Sequence, residues 1–384
     1  MMKRFVSAVA ICAVIMGVFA GCGNSSAQNN SEMNTNTPPS QVETTPEPTA
    51  TPEPYHPNPL TGFEKDESYP EGQRLTAVMV NNIKACRPQR GLSDAKVLYE
   101  IKVEGGITRF MAMYEDYNTI PTVGPIRSAR DQFFRLILPF QPLYVHIGES
   151  VVQKQYVADY DYDEWNYDAN KASNMFWRDK NRLSQGYSLE HTAYTDGKQI
   201  AQAVQSLGTD DRRSYNSGIF DFVNYNEPAR VLEGGTAESV TVIHSNSYRT
   251  KMDYDAASNK YLMSQYGSNG YTPTKDENNG KQLSFDNVLV LFTDIHTYPG
   301  HEAKDLQYVA YNDGGVGYYY NGGRYEKIRW MKGTDLNVLR IVSNDGTETP
   351  VQINCGTSYV TVVDIDEAIN FEAPDAVAEP TDAE

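Results

Sequence analysis

Arg127-Ser128-Ala129-Arg130 sets two guanidiniums three positions apart, just ahead of the apolar run Phe133, Phe134, Leu136, Ile137 and Leu138. Each guanidinium is a planar fork of donors matched to carboxylate or phosphate. Ser128 is a preferred N-cap and Asp131 stands at the capping-box position, which predicts a helix starting at Ala129 and stopped by Pro139. Free N–H groups and a partial positive charge at that start would join the arginines in seating an anion. Pairing of both arginines with internal carboxylates such as Glu104 or Asp131 is the equally weighted outcome. Arg87 and Arg109 add to the site if the chain brings them there.

Glu104, in the turn Glu104-Gly105-Gly106, is the candidate general acid or base, with His146 and His191 at element ends as assistants. Each taken alone reads more simply: a solvated turn carboxylate and two buried, backbone-bonded rings. One carboxylate does not make a glycosidase, and no nucleophile triad is evident. Cys355 has no histidine near it in sequence, which argues against a transpeptidase nucleophile.

These residues need elements to hold them. Residues 75–80 read as a buried strand. Residues 97–103 and 107–114 read as a hairpin closed by the two glycines. A strand over 143–147, a helix over 150–158 and a helix over 196–207 capped by Thr195 complete an α/β layer. Residues 228–235 form a plausible hinge. After them helical signals give way to short strands between Gly, Asn and Asp turns, from 239 to 363. The expected fold class is α+β, with an N-terminal α/β layered domain (59–227) followed by a β-rich C-terminal domain (236–370).

The chain opens with Lys3 and Arg4, an apolar stretch over 5–19, then Ala20-Gly21-Cys22. That pattern predicts a lipoprotein signal peptide (1–21) cut before Cys22, whose thiol takes the lipid. Residues 22–58 are Asn, Ser, Thr, Pro and Glu with almost nothing to build a core, so they read as a tether. The tail 371–384 is acidic. Of the four cysteines, Cys12 leaves with the leader and Cys22 is lipidated, so Cys86 and Cys355 do not make a disulfide framework. Zinc-ligand spacings are lacking, and the acid-aromatic run Asp159 to Trp165 has Glu164 where a calcium loop needs Gly and Asn170 where it needs Glu. No metal or cofactor is therefore assigned. A net charge of −17 argues against nucleic acid and against anionic lipid without an anchor.

Arg87-Pro88-Gln89, the run Tyr99-Glu100 through Val103-Glu104-Gly105-Gly106-Ile107-Thr108-Arg109-Phe110, and Gly124-Pro125-Ile126-Arg127-Ser128-Ala129-Arg130 resemble the YerB-type lipoprotein family of Gram-positive bacteria. The likeness continues through Tyr144-Val145-His146-Ile147-Gly148, Trp177-Arg178-Asp179 and His191-Thr192-Ala193-Tyr194-Thr195, and covers nearly all of the chain after the tether. Thr192 departs from the Asn usual in the last motif. The resemblance implies a two-domain protein anchored at the extracytoplasmic face of the cell membrane, and it implies no activity. The expectation is an envelope factor that binds an anionic group of a wall polymer or partner protein through Arg87, Arg109, Arg127, Ser128 and Arg130. The alternative is a peptidoglycan- or glycan-acting enzyme using Glu104 with His146 or His191.

Overall fold

The structure, a computed structural model, describes residues 55–370, with side chains through residue 367. The expected leader, Cys22, most of the tether and the acidic tail lie outside the described residues. The end of the expected tether does not. Tyr55 stacks on Tyr225 with ring centroids 5.2 Å apart, and buried Asn58 donates to Glu115, so the folded body begins a few residues before the compositional boundary.

Strand β1 (Thr76–Asn81) is buried along its whole length, with Ala77 and Met79 in one core and Val78 and Val80 in the other. Layers on both faces explain why its apolar run is continuous rather than alternating. β2 (Val97–Lys102) and β3 (Thr108–Tyr114) form the expected hairpin, with Lys102 opposite Thr108 and Val97 opposite Met113. β1 lies antiparallel to β3 and parallel to β4 (Leu143–His146), which is itself parallel to β5 (Asn166–Asp168).

The other side of the hairpin meets the second half of the chain. Strand Ser358–Asp364 lies between β2 and Asn287–Thr293, parallel to both. Strands Gly315–Asn321, Arg324–Met331 and Arg340–Ser343 then continue antiparallel, so one mixed sheet crosses both halves. The expected hinge segment is bound to this sheet: Arg230 pairs with Glu326 and its N–H donates to Asn354 Oδ1.

A second sheet, built from Ser239–Ile243, Arg249–Asp255, Lys260–Gly267 and Gly270–Pro273, covers one face of the first. Val240, Val242, Met252 and Met263 pack there with Val78, Val80, Leu98 and Phe110. The opposite face is covered by α1 (Asp131–Ile137), whose Phe133, Phe134 and Ile137 join Met79, Ile101 and Met111 from the first half and Leu289 and Trp330 from the second. α2 (Val151–Asp159) is packed beside α1 and is capped by the Ser150 hydroxyl, which accepts from Gln153 N–H at 2.9 Å. The helix Gly197–Leu207 is capped by Asp196, not Thr195, whose hydroxyl donates instead to the Met175 carbonyl. The fold is α+β, with helices concentrated in the first half and a β-rich second half.

Candidate functional site

The helix expected at Ala129 begins at Asp131, and Ser128 does not cap it. The reason is long-range pairing. Residues 126–129 run extended between β1 and the end of β4: Arg127 N–H donates to Met79 O at 3.0 Å, Ile147 N–H to Arg127 O at 3.2 Å, and Ala129 N–H to Gly148 O at 2.9 Å. Strand-like bonds over this segment outweigh a local capping preference that contributes only about 1 kcal/mol. Gly124 allows the approach, because at φ 145° a Cβ there would sit 2.8 Å from Ala193 O. The seven-residue helix that follows is wholly buried and ends before Pro139, as expected, but its start is not the anion seat. Asp131 is buried within it, accepts from Tyr298 at 2.7 Å, and is raised to about 6 by loss of hydration, against the pull of that hydrogen bond and of Arg135.

What the extended segment does is deliver side chains. Arg127 and Arg130 reach a cleft of about 410 Å³ together with Arg109 from β3 and Glu104 from the hairpin turn. Glu104 is clamped between two guanidiniums: one oxygen takes Arg130 Nε, the other Arg109 Nη2 at 3.4 Å. Arg109 also donates to the Ser128 carbonyl at 2.6 Å, so Ser128 serves the site through its backbone. Burial pushes the Arg109 guanidinium down to about 9, with Arg130 adding repulsion and Glu104 opposing it; the group remains charged at neutral pH. Arg127 turns outward to Glu190 at 2.7 Å. The Nε atoms of Arg109 and Arg127 are both buried without an acceptor.

Glu149, Ser150, Val151, Ile107, Lys304 and Leu306 complete the wall. Four cations thus meet the two carboxylates of the wall and Glu190 beside it, a locally cationic hollow in an acidic protein. Glu149 follows β4 at the position where α/β layers commonly place ligand-binding groups, and that location is the only hint of it in the sequence. Burial, with Asp168 nearby, raises its carboxyl above the ordinary range. Lys304 belongs to the second half of the chain, brought in where Asp305 accepts from Gly105 N–H at 2.8 Å.

The remaining expected site residues lie elsewhere. Arg87 does not converge with the others; it donates to the carbonyls of Asn82 and Tyr266 and lines a separate groove with Pro88, Gln89 and Thr272. His146 is fully buried, its ring nitrogens 3.0 Å from Gly148 O and 2.7 Å from Asn166 Oδ1, and burial lowers its pKa. His191 is buried against Asn81 Nδ2 at 3.0 Å, lowered by burial, with Glu190 3.7 Å away opposing. Neither histidine lines the Glu104 cleft. Cys355 donates to Val223 O and burial raises its thiol pKa, which disfavours a thiolate nucleophile. A larger hollow of about 540 Å³ near Tyr55, Phe220, Phe222 and Ile341 is mostly apolar and carries no comparable group of charges.

A two-layered mixed sheet with a charged cleft on its helical side defines a two-domain α+β protein. Residues 60–210 match the family described as "Protein of unknown function (DUF3048) N-terminal domain" and residues 239–360 its C-terminal domain. The chain belongs to this YerB-type family. It is 28% identical over 324 residues to "Putative lipoprotein YerB" of Bacillus subtilis (strain 168), covering 81% of this chain and 87% of that one. It is also similar to the crystal structure of YerB protein from Bacillus subtilis, with a TM-score of 0.67 at 24% identity, over 80% of this chain and 96% of that one.

Proposed function

We propose that the protein is a lipid-anchored envelope factor at the extracytoplasmic face of the cell membrane, whose cleft holds an anionic group of a wall polymer or partner protein. The observation that carries this reading is the convergence of Arg109, Arg127 and Arg130 on one cleft, with the Nε atoms of Arg109 and Arg127 buried and holding no acceptor. A buried donor left unmade costs about 1–3 kcal/mol, so a ligand oxygen supplied there is favoured by more than charge alone. The Ala20-Gly21-Cys22 pattern and the name of the relative support the anchor. The enzymatic alternative draws no support from the cleft, since both Glu104 oxygens are occupied by guanidiniums and neither histidine reaches them.

Pull-down of the full chain on purified wall material tests the binding role. Arg127→Ala and Arg130→Ala should each reduce retention several-fold, and the intact protein should release no muropeptide. Retention unchanged in both variants, or muropeptide release, rejects the proposal. Cys22→Ser should move the protein from the membrane fraction to the soluble one, and persistence in the membrane fraction rejects the anchor.

A further inference from the structure

The guanidiniums of the cleft are already committed: Arg109 and Arg130 to Glu104, Arg127 to Glu190. Glu149 is left over. It is the second carboxylate of the cleft wall, and no guanidinium of the cleft pairs with it; Asn166 and the more distant Lys154 act on the carboxylate, but its Oε2 is buried with no hydrogen-bond donor. Its backbone is held in place. Ala129 pairs with Glu149 in a parallel bridge, Gly148 N–H is held by Asp168 Oδ1 at 2.6 Å, and Ser150 is fixed as the cap of α2. Gly148 also adopts φ 75°, and a Cβ there would approach Ser128 Oγ to 3.2 Å, so the corner that aims Glu149 is specific to glycine.

A simple anion entering this cleft meets attraction from the arginines and Lys304 and repulsion from Glu149. It also leaves the Glu149 oxygen without a donor. A molecule carrying an ammonium beside its anion removes both penalties at once, because the N–H donors satisfy Oε2 and the positive charge compensates the carboxylate.

We infer that the cleft takes a short zwitterion, a phosphate or carboxylate with a primary ammonium close by, the anion on the Arg109, Arg127 and Arg130 side and the ammonium on Glu149. This rests on the anion-binding reading above and narrows it. The chemistry occurs both in phosphoethanolamine-type groups and in the termini of short peptides, and the experiment separates these sources.

Calorimetric titration of the full chain at low ionic strength compares two matched pairs of probes: phosphoethanolamine with ethyl phosphate, and dialanine with N-acetyl-dialanine. At least one zwitterion should bind about tenfold more tightly than its amine-free partner, the gain expected of one charge-assisted contact. The pair that shows the difference identifies the source. In Glu149→Gln the preference should fall to about twofold or less while the amine-free probe binds as well or better, since the repulsion is gone. Glu149 is only partly buried, so the substitution is compatible with folding, and a thermal melt of the variant verifies it. Equal binding within both pairs overturns the zwitterion assignment and leaves the anion site standing. A preference that survives in Glu149→Gln overturns the role of Glu149. Failure of all four probes to bind overturns the anion site itself.

Discussion

Replacing Glu104 by Gln separates binding from catalysis by the sign of the effect. In the folded protein Glu104 occupies Arg130 Nε and Arg109 Nη2, so its charge sits beside any anion drawn to these guanidiniums and repels it. An anion on those guanidiniums would lie about 5–7 Å from the Glu104 carboxylate; with an effective dielectric of about 20–40 the mutual repulsion is on the order of 1–3 kcal/mol. Removing the charge should therefore strengthen anion binding by about tenfold to a hundredfold. Gln keeps an oxygen for one arginine, but Arg109, only 3% exposed, loses its counter-charge. The expected cost to folding is on the order of 1–3 kcal/mol, visible as a lowered urea midpoint without loss of the folded state. Titration with ethyl phosphate at low and high salt measures the gain, which should shrink as screening rises. A folded Glu104→Gln variant that binds the anion more weakly than the wild type refutes the reasoning. Under the catalytic alternative the same variant would instead lose turnover of wall material.

Two further substitutions test the frame around the cleft. Asp131 has a folded pKa of about 6, above the value of about 4 expected unfolded, so the folded state holds its proton more tightly. Its contribution therefore favours folding as pH falls from about 6 to about 4 and opposes folding at neutral pH; Asp131→Asn should raise stability at pH 7 by on the order of 2 kcal/mol and flatten that limb of a stability-versus-pH curve measured by urea unfolding. An unchanged pH dependence would contradict the assignment. Glu100, 1% exposed, accepts from Asn82, Thr108, Thr250 and Tyr359. Glu100→Ala strands those donors between the two sheets and should cost about 3–5 kcal/mol in a denaturant melt, whereas a loss within experimental scatter would mean that water replaces the carboxylate.

Much of the frame can be read from local pattern. The unbroken apolar run of β1, the Gly105-Gly106 hairpin and the largely apolar helix around Phe133 each follow from a period or a turn signal confined to a few neighbouring residues. The site is less legible because it depends on partners far away in sequence. Ser128 carries a sound capping signature that loses to backbone pairing with Met79 and Gly148. Arg87 stands in the same motif-rich region as Arg109, yet its carbonyl partners Asn82 and Tyr266 hold it in another groove. Glu149 sits in an unremarkable Gly-Glu-Ser stretch, and it reaches the wall shared with the arginines through the parallel bridge to Ala129 and the turn at Gly148, both set by residues distant in sequence. Lys304 comes from the other half of the chain, and no periodicity in either half signals that the two share a wall. Arg109, Arg127 and Arg130 with Glu104 were nonetheless recognisable as a group, because strand ends and turns are where an α/β layer presents charged side chains to a cleft.

The seating of Ser358–Asp364 between β2 and Asn287–Thr293 has a consequence for the order of assembly. A nascent polypeptide appears amino end first, yet this segment is the last strand among the described residues and fills the middle of the ribbon. Until it arrives, the β2 edge and the Asn287–Thr293 edge both stay open, each a row of unpaired amides able to recruit the wrong neighbour. Synthesis past Asp364 is thus a precondition for closing the body, and a chain cut short before Ser358 would keep two sticky borders rather than one independent, finished half.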